Sequence, residues 1–284
     1  DFGFNVAFNM SAIKNKMTEL DGDVSYIGLP TSVIHSLNFD QEVSRSAIGQ
    51  PIGSFYAYKE DGLFQSEAEI KSYTNNKGEL LQPNAKPGDI KFVDVNGDGV
   101  IDGNDRDYIG NPLPDVTAGL TLGVNFHNFD LSLFFQGMFG NDVYDLTRYV
   151  GDFYNQSQYN KNSRVVNAWT PTNTNTDIPR VTMDDPNNNI RPSSYYVQDA
   201  SFVRLKNMKI GYSVPQSILS KIKFNSLYIY AQATNLFTIT GYDGIDPEVG
   251  LQSYSSDYRN LDMGVDRGIY PLSRTFTFGV NVSF

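Results

Sequence analysis

Residues 275–284 read Thr-Phe-Thr-Phe-Gly-Val-Asn-Val-Ser-Phe, an alternation of apolar and small polar residues with period two. Because successive side chains of a β-strand point to opposite faces, such a run puts Phe276, Phe278, Val280, Val282 and Phe284 on one face. Thr275, Thr277, Gly279, Asn281 and Ser283 fall on the other. Four further segments repeat the pattern: 2–10, 118–126, 129–139 and 227–238. A sixth, 200–212, alternates less cleanly, with Phe202, Val203 and Leu205 mixed among Arg204, Lys206 and Lys209, which either a β-bulge or a functional face would explain. Half-buried antiparallel strands are the reading, and the fold class is all-β. Tyr 18 and Phe 19 against a single Trp agree with strands, where flat rings pack on the pleated surface.

The connections separate two all-β architectures. His127-Asn128 joins 118–126 to 129–139 as a two-residue hairpin, and 213–226, with Pro215, is a modest turn. The gaps 13–116, 140–199 and 239–273 are long, and long structureless loops are uncommon in compact domains. If the last strand ends on the periplasmic side, every long gap falls outside and every short turn falls inside, the arrangement of transmembrane barrels. The second face is Gly, Ser, Thr, Asn and Gln rather than Lys and Glu, which suits a water-filled lumen. A soluble β-sandwich is the competing reading, in the form of a calcium-stabilised glycan-binding β-domain.

Composition removes other classes. The net charge is 22 − 32 = −10, against a nucleic-acid binder. There is no cysteine, and the two histidines, His35 and His127, are far apart, against thiolate or multi-histidine metal sites. No run approaches the roughly 18 apolar residues of a membrane-spanning helix. The chain opens inside a strand-like pattern, Asp1-Phe2-Gly3-Phe4, and reads as part of something longer.

The sharpest local motif runs from Asp94 to Asp105. Counted from Asp94, side-chain oxygens fall at positions 1, 3, 5, 9 and 12 (Asp94, Asn96, Asp98, Asp102, Asp105), with Gly99 at position 6. This is the spacing of a calcium loop, with Val100 offering its backbone carbonyl. Position 12 is Asp in place of the usual bidentate Glu, and Lys91-Phe92-Val93 before the loop reads as extended. The expectation is an isolated structural calcium site; an Asx-rich turn without metal is the alternative. Tyr149, Phe153, Tyr154 and Tyr159, in an Asn/Gln-rich segment, are weak candidates to stack on a substrate ring, or else to pack that segment on itself. There is no Gly-x-Ser-x-Gly, P-loop or His-Glu-x-x-His. Asp184-Asp185 and Asp246/Glu248 are conceivable glycosidase pairs, but acidic loop residues are mostly solvated surface, and the chain reads as a non-enzyme.

Several stretches carry a family resemblance. They are Gly49-Gln50-Pro51-Ile52-Gly53-Ser54-Phe55-Tyr56-Ala57-Tyr58, Asp61-Gly62-Leu63-Phe64-Gln65, Pro87-Gly88-Asp89-Ile90-Lys91-Phe92 and Ile109-Gly110-Asn111-Pro112-Leu113-Pro114. They continue with Tyr196 to Asn207, Gln232-Ala233-Thr234-Asn235-Leu236-Phe237, Gly244 to Val249, Gly264 to Pro271 and Arg274 to Gly279. Together these resemble the SusC/RagA-type TonB-linked (TonB-dependent) outer-membrane transporters of Bacteroidota, in order over essentially the whole chain. Departures are Ala57 for the usual Gly and Ala118 where Tyr is common. The resemblance implies residues 1–284 as the C-terminal portion of a large transmembrane β-barrel with long extracellular loops, 94–105 lying in one of them. It also implies an outer-membrane location and import of a small glycan or a peptide. The expected partners are a SusD-like surface lipoprotein, outer-membrane lipid, and TonB through an N-terminal plug and contact segment that this sequence does not contain.

Overall fold

The computed structural model describes residues 2–28, 41–154, 160–250 and 261–284. Six long strands form its wall: β1 (Phe2–Ala12), β2 (Val116–Phe126), β3 (Phe129–Phe139), β4 (Phe202–Ser213), β5 (Ser226–Thr234) and β6 (Thr275–Ser283). Each is antiparallel to the next in sequence, so the sheet is an uninterrupted meander, with the short strand Thr238–Thr240 added beside the start of β4. All six correspond to the alternating segments of the sequence. The reading 227–238 overran, because Asn235 takes a positive φ of 52° and ends β5.

The register carries the alternation across the sheet. Phe4 faces Val124, Val124 faces Leu131, Leu131 faces Ile210, Ile210 faces Ala231, and Ala231 faces Phe278. One face is therefore a continuous apolar band, and it is open: Phe4 is 70% exposed and Phe278 81%. A soluble sandwich would pack a second sheet there. Among the described residues none does, which favours the barrel over the soluble β-domain. No helix among the described residues is long and apolar enough to cross a membrane.

Between Leu205 and Asn207 the β3–β4 register shifts by one residue, a bulge at Lys206. Before it Val203 and Leu205 share the outer face; after it Met208, Ile210 and Tyr212 do. The extra residue explains why 200–212 alternates poorly.

The register also places the connections. Ala12, Val116 and Phe139 lie at one end of the sheet with Phe202, Thr234 and Thr275, and the three long connections leave from there. The hairpin His127-Asn128 and the β4–β5 connection lie at the other end. His127 sits at φ 52°, as a tight hairpin between right-twisted strands requires. The β4–β5 connection holds a short helix (Gln216–Ile222) with Pro215 at its N-cap and Lys223 left-handed at its C-cap.

The long connections are not structureless. They build a three-stranded sheet (Val197–Asp199, Asp142–Asp145, Val265–Asp266), a four-stranded sheet (Tyr26–Gly28, Ser44–Ala47, Ser54–Tyr58, Arg106–Gly110) and a pair (Glu60–Leu63 with Ile90–Phe92). Their apolar side chains meet in one core: Phe55 and Phe92 from the first connection, Tyr144 and Tyr196 from the second, Leu261 and Val265 from the third. Tyr144 stacks on Tyr196 with ring centroids 5.4 Å apart, and Phe55 tilts against Tyr144 at 5.7 Å. This cap has apolar surface of its own to offset ordering entropy.

The two faces make opposite predictions for charge. Val280→Arg, on the band, is expected to lower unfolding free energy in lipid vesicles by about 2–4 kcal/mol if the side chain meets the bilayer midplane. Asn281→Arg, on the opposite face, is expected to be tolerated. Denaturant titration of the two variants in vesicles, with equal losses, would show the sidedness to be wrong.

Candidate functional site

The inner face of the wall is built on glycines. On β2, Gly119 and Gly123 lie against the side chains of Asn9 and Asn5 of β1, where a Cβ would collide. On β4 and β6, Gly211 and Gly279 make room for Tyr228 and Tyr230 of β5, which lie over them. The two rings stack at 5.8 Å, and the Lys209 ammonium sits 4.9 Å from each ring centroid. The Tyr228 hydroxyl donates to Asp130 Oδ2 at 2.9 Å. Sequence reasoning put Tyr228 and Tyr230 on this face but missed Lys209 as their partner. The shared parity of Lys209 with Gly211, one strand away from the tyrosines, was the available signal.

Where the wall meets the cap, the bulge carries an ion-pair clamp. Arg204 donates from Nη2 to Asp246 Oδ1 at 2.5 Å, from Nη1 to Glu248 Oε2 at 3.0 Å, and from Nε to the Thr238 hydroxyl at 2.7 Å. Lys206, the bulged residue, donates to the same Glu248 oxygen at 2.6 Å. Asp246 also accepts from the backbone N–H groups of Glu248 and Leu272. Burial alone would raise the Asp246 carboxyl, but the Arg204 hydrogen bond and these N–H donors hold it below the usual carboxylate range. Two sequence motifs, one around Arg204 and one around Asp246, thus belong to one structure. The carboxylates are committed to it, which removes Asp246/Glu248 as a glycosidase pair. Asp185 accepts from the N–H groups of Asn189 and Ile190 and closes a buried turn, so Asp184-Asp185 is not such a pair either.

The aromatic candidates divide. Tyr149 and Phe153 belong to the cap core, where Phe153 meets Tyr195 at 5.7 Å. Both are buried and pack the fold on itself, the second of the two alternatives the sequence left open. Tyr154 is half-exposed, with the Lys161 ammonium 5.4 Å from its ring centroid. Tyr159 lies outside the described residues, as does His35.

The loop 94–105 closes through its own backbone. Asp94 accepts from the N–H groups of Gly97 and Gly99, Asn96 from Asp98, and Asp98 from Val100. Asp102 accepts from Asn104, and the wholly buried Asp105 accepts from Val95, Asn96 and Asp102. Among the described residues no group of three or more acidic or histidine side chains is gathered as it would be around a metal ion. The oxygens work as Asx-turn acceptors, and the expectation of calcium there rests on spacing alone. The strand Ile90–Phe92 before the loop agrees with the extended reading.

Known proteins decide what the wall belongs to. No family model matches the chain. The TonB-dependent receptor P3 of Formosa agariphila is 38% identical over 285 residues, covering 100% of this chain. Receptor P26 of the same organism is 33% identical, again over the full chain. The chain belongs to the TonB-dependent receptor family. SusC of Bacteroides thetaiotaomicron, another TonB-dependent receptor, is 27% identical over the full chain. The chain spans 27%, 27% and 25% of these three relatives, about a quarter of their length. Two solved structures share its fold over the whole chain, each with a TM-score of 0.69. They are the RagAB peptide transporter (21% identity) and the RagAB peptide importer in its "closed-closed" state (24%). The wall is therefore part of an outer-membrane β-barrel, and its apolar band is the lipid-facing side of this TonB-dependent receptor segment.

Two outcomes test the receptor's clamp and loop. Arg204→Met strands buried carboxylate charge, so unfolding free energy should fall by about 3–5 kcal/mol and residues 241–250 should become open to protease. The Asp246 carboxyl, held low when folded, contributes stability above an ordinary pKa of about 4 that disappears as pH falls through the lowered value. The clamp should thus hold at neutral pH and fail only in acid. For the loop, Asp105→Ala is expected to expose 94–105 to protease; protection by calcium that EDTA removes is the outcome the spacing predicts, and cleavage unchanged by EDTA would leave the Asx-rich turn without metal.

Proposed function

We propose that the whole receptor, of which this chain is the C-terminal portion, imports small oligomeric nutrients, oligosaccharides or peptides, across the outer membrane. Energy comes from TonB through a plug and contact segment outside these residues, and a SusD-like surface lipoprotein covers the external end. The observation that carries this reading is the two-sidedness of the wall. An open apolar band backs onto a face of Gly, Asn, Thr, Gln and Tyr, and a packed cap stands over one end only. A polar inner face lets hydrated solutes pass without binding them tightly, which transport requires. The relatives are receptors, and with the carboxylate pairs committed to turns and ion pairs we assign the chain no chemistry of its own. The TonB-dependent receptor SusC and the RagAB peptide transporter, as their names describe them, support the TonB and peptide parts of the reading by analogy.

Deleting the receptor, or removing TonB function, is expected to abolish uptake of labelled oligosaccharides or peptides that the native host grows on, while uptake of monosaccharides and amino acids continues. Unchanged oligomer uptake in both strains would refute import.

A further inference from the structure

Two buried carboxylates, Asp145 and Asp266, lie side by side where the second and third connections join. The strands Asp142–Asp145 and Val265–Asp266 run parallel, with Tyr144 opposite Val265 and Asp145 opposite Asp266. Paired residues of neighbouring strands sit about 4.8 Å apart and point to the same side. Tyr144 and Val265 enter the main core, so Asp145 and Asp266 share the other face, with Val143 and the Tyr242 ring. We propose that this seam is a proton-operated joint. Uptake of one proton by the Asp145–Asp266 pair locks the third connection onto the second, and its loss lets the two part.

The hydrogen bonds of the pair go to other groups. Asp145 accepts from the Thr147 N–H and hydroxyl at 3.0 and 2.6 Å and from Gln198 Nε2 at 3.0 Å. Asp266 accepts from the N–H groups of Gly268 and Ile269 at 2.8 and 3.2 Å and from the Tyr242 hydroxyl at 2.6 Å. These donors to Asp266 are neutral. Arg148 Nε lies 3.6 Å from Asp145, but its Nη2 donates to both Asp243 oxygens at 3.1 and 2.9 Å. Arg164 lies 3.6 Å from Asp243 and also serves Asp152 and Asp177. The guanidinium charge beside the pair is thus shared with other carboxylates, and a proton is the smallest charge that redresses the balance. Tyr242 keeps its own: burial, then the Asp145 charge and the bond to Asp266, push its hydroxyl far above the usual tyrosine value. Water can exchange protons with the pair, because Asp145 lines an open cavity of about 420 Å³ with Thr147, Arg148, Arg164 and Asp243.

Burial, with the Asp266 charge adding to it, outweighs the Thr147 and Arg148 contacts and holds the Asp145 carboxyl above the usual carboxylate range. A carboxyl raised by folding contributes stability that is complete below an ordinary pKa of about 4 and disappears as pH rises through the raised value. Acid therefore firms the seam. The Arg204–Asp246 clamp on the same connection has the opposite sign, its carboxyl held low. Above about pH 4 the seam responds while the clamp does not.

The test is hydrogen exchange of the full-length receptor in detergent, corrected for intrinsic rates, from about pH 8 to about pH 4.5. Peptides covering 142–146 and 262–268 read the seam, and those covering 244–250 read the clamp. Seam protection is expected to rise severalfold on acidification, by up to about tenfold for each pH unit by which the carboxyl is raised, while clamp protection stays level. Asp266→Asn keeps the side-chain shape and removes one charge. It is expected to protect the seam better than the wild type at about pH 8 and to lose most of the rise. Tyr242→Phe removes the hydroxyl that favours ionised Asp266 and is expected to start the rise at higher pH. Wild-type seam protection that stays level or falls in acid overturns the joint. So does a rise that Asp266→Asn retains in full, or an onset that Tyr242→Phe leaves unmoved. If Asp266→Asn does not assemble, the wild-type and Tyr242→Phe profiles decide by themselves.

Discussion

Every polar group of a backbone inside a bilayer must find a partner within the protein, because the hydrocarbon offers none, and unmet groups cost several kcal/mol each. Strands meet that demand only by pairing with their neighbours along their full length. The wall does so through five successive antiparallel ladders, from Phe2 opposite Phe126 to Ser226 opposite Ser283. Once pairing is obligatory, side chains have two destinations, lipid or lumen, and the period-two pattern follows. The band of Phe, Val, Leu and Ile on one face and the Gly, Asn, Thr and Tyr on the other are two consequences of the same rule.

The bulge at Lys206 is where that regular wall changes into a cap. One extra residue shifts the β3–β4 register and brings Arg204 and Lys206 to the same carboxylate, Glu248. Ionic groups that would be costly within the band are thus placed where the third connection folds back onto the wall. Asp246 ties this connection both to Arg204 and to the N–H of Leu272. Ion pairs of this kind position a chain segment more than they stabilise it, since desolvation offsets much of their attraction.

Small residues do comparable work on the inner face. Tyr228 and Tyr230 lie flat because Gly211 and Gly279 leave room, and the rings shield backbone that glycine would expose. The cap solves the opposite problem. Its chain runs far from the sheet in water, and it is held by a shared aromatic core from three connections and by turns such as 94–105 that close on their own Asp and Asn side chains.

The six wall strands, their facing and the end of the sheet from which the long connections leave were legible in the residues alone, whereas the uneven alternation of 200–212 left a bulge and a functional face both open. Each depends on neighbours two apart or on connection length, both local properties. The cap was not legible. Its core joins Phe55, Tyr144 and Val265, residues far apart in the chain with no shared period, so only the fold brings them together. The same holds for the candidate sites. Spacing marked Asp94–Asp105 as a cation loop, but the direction of each carboxylate depends on which N–H groups the folded backbone presents. For Tyr149 and Phe153 the sequence left stacking and packing open, and only the fold decides for packing. The cavity beside Arg148 and Arg164 draws on residues from 145 to 245, which only the fold brings together. Local chemistry determines how this chain pairs and faces; long-range packing decides what its loops enclose.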